Sequence, residues 1–123
     1  MTKNPTNKVL ICDDEEGIRE SLKLIVSDFH ETIVVDSGAQ CLDTLANAKD
    51  IGLVLIDIKM PKMHGLDVLS EIKKRHPAMP VVVVTGYRSV ETAAEAASRG
   101  ACGYIIKPFK SDEILETVKK NLK

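Results

Sequence analysis

No apolar run in this 123-residue chain approaches the ~20 residues that a membrane-crossing helix needs. The opening Met1–Asn7 is polar, so residues 1–7 read as a short flexible tail and not as a secretory signal. An excess of charge of either sign is missing too. Lys and Arg number 17 against 18 Asp and Glu, and a net charge of -1 leaves no electrostatic footprint for nucleic acid. The cysteines, Cys12, Cys41 and Cys102, are odd in number and lack CxxC spacing. Each falls in an apolar stretch, so all three are expected to be reduced, buried, small hydrophobes in a cytoplasmic protein. His30, His64 and His76 have no metal-ligand spacing and read as surface or loop residues. Linkers and low-complexity segments are absent as well. One domain is expected over residues 8–123, 44% of the chain being hydrophobic, enough for a single core but not for two.

Within that domain, short strand-like runs alternate with amphipathic helical stretches. The expected strands are Lys8–Cys12, Thr32–Asp36, Gly52–Asp57, Pro80–Thr85 and Cys102–Ile106. The first, third and fourth are nearly continuous Val, Ile and Leu, the pattern of strands covered on both faces. The first helix presents Ile18, Leu22, Ile25, Val26 and Phe29 on one face. The second, from about Gly38 to Ala48, buries Cys41, Leu42 and Leu45. The third uses Leu66, Leu69 and Ile72 and stops before Pro77, and the fifth opens at Ser111 and buries Ile114, Leu115, Val118 and Leu122. The fourth, Ser89–Arg99, offers Val90, Ala93, Ala94 and Ala97 as its inward stripe. Alanine keeps it helical but supplies little area to anchor it, which fits either close packing of the helix on the sheet or a helix held loosely enough to shift. Five βα units with right-handed crossovers predict an α/β fold, a doubly wound five-stranded parallel sheet. Its natural strand order is 2-1-3-4-5.

Polar residues mark the ends of those strands. Asp13, Asp14, Asp57, Thr85 and Lys107 each sit at or just past the C-terminal end of an apolar run. In an open parallel sheet these ends form one edge, where a crevice opens and ligands bind. Three carboxylates gathered there repel one another unless a cation sits among them. With oxygen ligands only, that cation is a hard divalent ion such as Mg²⁺, with Mn²⁺ as a substitute. A hydroxyl and an ammonium beside them suit a phosphoryl group.

Four blocks hold these residues: Val9-Leu-Ile-Cys-Asp-Asp-Glu15, Val54-Leu-Ile-Asp-Ile-Lys-Met-Pro61, Val82-Val-Val-Thr-Gly86 and Gly103-Tyr-Ile-Ile-Lys-Pro-Phe109. In this order, over about Lys8 to Leu122, the chain resembles the receiver domain of bacterial two-component response regulators. The resemblance implies the flavodoxin/CheY-like fold and a phosphoacceptor switch, not a turnover enzyme. It makes Asp57 the nucleophile that forms an aspartyl phosphate. Asp13, Asp14, Asp57 and the backbone carbonyl of Lys59 become the Mg²⁺ ligands. Lys107 and Thr85 face the phosphoryl oxygens, and the Lys107–Pro108 bond is cis. Tyr104 takes the place of an aromatic switch residue that turns inward when Thr85 moves. Lys59 and Tyr87 border the approach of the hydrolytic water, and neither can orient it, so slow self-dephosphorylation is expected.

The same resemblance implies partners. A sensor histidine kinase or a histidine phosphotransfer protein donates the phosphoryl group. A downstream domain or protein reads the face made by the fourth helix, fifth strand and fifth helix, with dimerisation on phosphorylation as one outcome. Thr85-Gly86-Tyr87 leans toward receivers that precede ATPase-type transcription activators. One departure stands out: His64 precedes Gly65 where the family has Asp or Asn, so the third helix is expected to start late or fray. Rival readings fit less well. A haloacid-dehalogenase-type phosphatase needs an acid two residues past its nucleophile, where this chain has Lys59. A flavodoxin-like FMN carrier needs a phosphate loop where Asp13–Glu16 is acidic. A non-phosphorylated interaction module usually loses one of the five site residues, and here all five are kept.

Overall fold

Strands covered on both faces need a helical layer on each side, and the alternation of buried residues shows both. The computed structural model describes residues 7–60 and 64–122; residues 1–6 of the expected tail lie outside them. The chain runs β1 (Lys8–Cys12), α1 (Glu16–Val26), β2 (Thr32–Val35), α2 (Gly38–Asn47), β3 (Ile51–Ile56) and α3 (Gly65–Arg75). It continues through β4 (Val81–Thr85), α4 (Val90–Ser98), β5 (Gly103–Ile106) and α5 (Ser111–Asn121). The five strands pair in parallel in the order β2-β1-β3-β4-β5, as expected. Every residue of β3 and β4 is buried, whereas edge strand β2 is half-buried throughout.

Successive strand residues point to opposite layers. Leu10, Cys12, Val54, Ile56, Val81 and Val83 pack with α2, α3 and Ala96 of α4. Val9, Ile11, Leu53, Leu55, Val82 and Val84 pack with α1 and α5. Among the described residues no helix is long and apolar enough to cross a membrane.

The structure corrects several expectations. β2 stops at Val35 rather than Asp36, β3 begins at Ile51 and stops at Ile56, and β4 and β5 begin at Val81 and Gly103. Ile51 gains a partner in Lys8, which extends β3 by one residue, while Asp57, Pro80 and Cys102 keep single backbone bonds to the neighbouring strand just outside the ladders. α1 ends at Val26, which leaves Phe29 beyond the helix and 48% exposed. Cys102 is exposed instead of buried, because β5 starts only at the next residue.

α4 presents a different face from the expected stripe. Val90 is 84% exposed, Ala94 and Ala97 are exposed and Ala93 is half-buried, while Ala96 is the buried residue of this helix. Alanines at both candidate faces give no apolar contrast to choose between them. Arg99 adds the missing constraint: its guanidinium meets Asp67 of α3 at 3.1 Å and Glu95 at 2.6 Å. The expectation for His64 also fails. Its Nδ1 accepts the Leu66 N–H at 3.2 Å, so it caps α3, which begins at Gly65 without delay.

Candidate functional site

Parallel pairing of β1, β3, β4 and β5 brings their C-terminal ends to one edge, and the backbone fixes how the side chains there meet. The Asp57 N–H donates to the Cys12 carbonyl at 3.0 Å, setting the end of β3 beside the end of β1. The Lys107 N–H donates to the Thr85 carbonyl at 2.8 Å and ties β5 to β4 in the same way. Arg19 of α1 donates to the Asp13 carbonyl at 2.9 Å. The start of α3 lies directly against Asp57: a Cβ at Gly65 would come within 2.4 Å of the Asp57 carbonyl oxygen and 2.2 Å of Ile58 Cα. Only glycine permits that approach.

Asp57 is 3% exposed. One carboxylate oxygen accepts the Lys59 N–H at 3.0 Å, and the other accepts from Lys107 Nζ at 3.0 Å. The same ammonium lies 2.9 Å from Asp13 Oδ2 and 3.2 Å from Glu15 Oε1. The Asp13 contact is an ion pair out of line for a hydrogen bond, so that buried oxygen has no hydrogen-bond donor. Asp13 Oδ1 accepts the Glu15 N–H at 2.9 Å. Thr85 is fully buried, and its hydroxyl oxygen accepts the Tyr87 N–H at 3.4 Å. Asp14 is exposed at the rim.

Electrostatics follow from this crowding. Burial pushes the Asp13 carboxyl above the ordinary carboxylate range, although the Glu15 N–H and Lys107 pull the other way. Burial also works against the Lys107 charge, but its contacts with Asp13 and Asp57 outweigh that and hold the ammonium above its ordinary value.

Oxygen atoms of Asp13, Asp14, Glu15 and Asp57, one from each, lie within 4.8 Å of one another. An all-oxygen donor set with a buried oxygen lacking a donor fits a hard divalent cation such as Mg²⁺.

The structure gathers Asp13, Asp14, Asp57 and Lys107 in one pocket, with Thr85 on the adjoining strand end. Pro108 follows Lys107 through a cis peptide bond. Tyr104 is half-buried, and its hydroxyl donates to the Tyr87 carbonyl at 3.0 Å. Burial, then the charge of Asp57, push the Tyr104 phenol up. Lys59 Nζ lies 5.8 Å from the centre of the Tyr87 ring, so the two flanking side chains lean on each other.

Sequence reading missed three contributors: Glu15 as a further carboxylate on Lys107, Arg19 on the Asp13 carbonyl, and Gly65 under Asp57. Glu15 was signalled by its place beside the acidic pair. The other two depend on contacts between elements and left no local signal.

The response regulator receiver domain family matches residues 9–119. Response regulator protein FleR of Pseudomonas aeruginosa is 36% identical over 115 residues, covering 93% of this chain and 24% of its own length. A putative NtrX-like response regulator of Rickettsia bellii is 40% identical over 116 residues, 91% of this chain and 24% of that protein. The chain thus spans about a quarter of the length of these curated relatives. The receiver domain of NtrX from Brucella abortus superposes with a TM-score of 0.87 at 38% identity, covering 93% of this chain and 97% of that one. A CheY-like receiver domain protein from Methanospirillum hungatei gives 0.87 at 33% identity, covering 93% and 91%. The chain belongs to the receiver domains of the response regulators, the signalling phosphoacceptor domains of two-component systems.

Proposed function

We propose that Asp57 is the phosphoacceptor, and that the remaining pocket residues position and neutralise the group it receives. The supporting observation is the buried Asp57 carboxylate held between the Lys59 N–H and Lys107 Nζ, each at 3.0 Å. The first contact fixes the carboxylate plane. The second oxygen, now on Lys107, faces the pocket and attacks phosphorus in a phosphoramidate or acyl phosphate. The new O–P bond forms as the donor's N–P or O–P bond breaks, and its electron pair leaves with the donor. Lys107 then follows the charge from the carboxylate to a phosphoryl oxygen, and the Thr85 hydroxyl turns from the Tyr87 N–H to donate to another.

Asp13, Asp14, Asp57 and the Lys59 carbonyl would hold Mg²⁺, or Mn²⁺ in its place. When bound, the ion supplies positive charge that offsets repulsion between these carboxylates and the incoming phosphoryl oxygens. Receiver domains of this family work with histidine kinases and downstream effector domains. For this chain we assign donation to a histidine kinase or phosphotransfer protein, in the cytoplasm, over a domain of residues 8–123. The readout face is α4, β5 and α5, with dimerisation on phosphorylation as one form it takes. Regulation of an attached transcription activator is the extension that its relatives support. The Thr85 turn frees Tyr104 to move inward and carries the signal to that face.

The test is incubation with acetyl phosphate, with and without Mg²⁺, followed by peptide mapping. An acid-stable, base-labile phosphoryl group on the Asp57 peptide, dependent on the metal, is expected; modification elsewhere, or equal labelling in a chelator, overturns the assignment.

A further inference from the structure

Glu15 opens α1, yet its side chain does not serve the helix. An N-cap side chain ordinarily turns back to accept an N–H of the first turn, and that of Glu15 accepts none. Its carboxylate reaches across the pocket instead, to Lys107 Nζ at 3.2 Å. The Glu15 N–H donates to Asp13 Oδ1 at 2.9 Å, so this residue bears on Asp13 from two directions. The Glu15 side chain is 62% exposed, whereas those of Lys107 and Asp13 are 12% and 2% exposed. The contact therefore joins the rim of the pocket to its buried floor.

An ammonium has three N–H donors. Those of Lys107 reach Asp57 Oδ2 at 3.0 Å and Glu15 Oε1 at 3.2 Å. Asp13 Oδ2 is nearer, at 2.9 Å, but lies out of line and keeps no hydrogen-bond donor. The ammonium is thus aligned on the rim carboxylate and not on the buried one. Without the Glu15 charge, a turn of the lysine side chain brings an N–H onto Asp13 and occupies that oxygen. Hydrogen bonds between charged groups are the stronger kind, so it is the charge at Glu15 that holds the ammonium outward.

We infer that Glu15 is a positioning residue for the Mg²⁺ pocket: by drawing Lys107 toward the rim, it leaves the inner oxygen of Asp13 open to the ion. The inference rests on the metal-assisted reading proposed above and adds a residue to it. Glu15 acts here through Lys107 and not as a ligand. One of its oxygens also lies within 4.8 Å of those of Asp13, Asp14 and Asp57, so direct ligation is the rival to be separated.

The experiment is a double-mutant cycle read by calorimetric titration of Mg²⁺ at low salt. It compares the whole chain, Glu15→Gln, Lys107→Met and the double variant. Glu15→Gln should bind Mg²⁺ about two- to fivefold more weakly, the scale of an exposed ion pair, and should cause no further weakening in the Lys107→Met background. Equal weakening in both backgrounds would show Glu15 acting on the ion directly, and no weakening in either would leave it without a role; both results overturn the inference. Should Lys107→Met fail to fold, the ¹⁵N resonance of Lys107 Nζ in the metal-free chain carries the test. It should move on Glu15→Gln, and an unmoved resonance overturns the inference by itself. Absence of Mg²⁺ binding by the native chain would overturn the metal pocket and this role with it, whereas native binding with a failed cycle removes only the role of Glu15.

Discussion

Asp13 carries the sharpest conflict of any single residue here: a carboxylate 1% exposed, with one oxygen lacking a hydrogen-bond donor. Its pKa is raised mainly by burial, so the fold favours the protonated form. For such a group the stabilising contribution is complete below the unfolded pKa of about 3.9 and is lost as pH rises through the higher folded value. Metal-free Asp13→Asn should therefore melt above the unsubstituted protein at neutral pH, and the advantage should fade as pH falls into the carboxylate range. Adding Mg²⁺ should reverse the order, since binding stabilises only the protein that keeps the ligand. A lower melting temperature for metal-free Asp13→Asn at pH 7 would mean that the Lys107 ion pair outweighs desolvation. Asp14 bears on metal more directly. It is exposed and free of burial cost, and Asp14→Ala should weaken Mg²⁺ binding by removing one carboxylate from a small set. Calorimetric titration reads that change; an unaltered affinity would remove Asp14 from the ligands. We propose that Lys59 and Tyr87, with the Lys59 ammonium 5.8 Å from the Tyr87 ring centre, border the approach of the hydrolytic water, where neither carries a group that orients it. The pair Lys59→Asn and Tyr87→Glu should accelerate loss of the phosphoryl group, and an unchanged decay would discard this role.

At the level of elements, α3 and α4 behave as opposites. α3 buries Leu66, Val68, Leu69 and Ile72, and its first residue, Gly65, lies against the backbone of Asp57 and Ile58. Gly65→Ala should cost about 1–3 kcal/mol by overpacking, measured as a lower urea midpoint, because both close atoms are backbone and cannot swing away. α4 buries Ala96, and at roughly 25 cal/mol per Å² such a small side chain anchors little. Its amides should exchange with solvent faster than those of α3, and equal protection would contradict a loosely held α4. The legibility of these elements tracks their apolar contrast. Val, Ile and Leu runs marked β1, β3 and β4 plainly, and the Leu66, Leu69, Ile72 spacing marked the buried face of α3. The inward face of α4 was not legible, because alanines at 93, 94, 96 and 97 look alike until Arg99 meets Asp67. The His64 cap escaped for a related reason: its Nδ1 replaces the usual carboxylate or amide oxygen by a geometry that only the folded turn provides. The placement of the candidate site residues was easier to read, since each strand end is announced by a polar residue after an apolar run.

Across the whole molecule, the sheet separates two packed layers and gathers one polar edge. Asp57 follows β3, the centre of the strand order, with Thr85 on β4 and Tyr104 on β5 as successive neighbours toward the α4 side. We propose that a change at Asp57 is relayed sideways through these adjacent strands. Binding of a phosphoryl mimic should shift amides in residues 86–106 as well as in the loops holding Asp13 and Asp57; shifts confined to those loops would rule out the relay. The central claim is that a single buried carboxylate accepts the phosphoryl group. It is tested most directly by intact-mass measurement after treatment with Mg²⁺ and acetyl phosphate, comparing the native chain with Asp57→Asn. One phosphoryl group on the native chain and none on the variant is the predicted result, and full phosphorylation of Asp57→Asn would contradict the account.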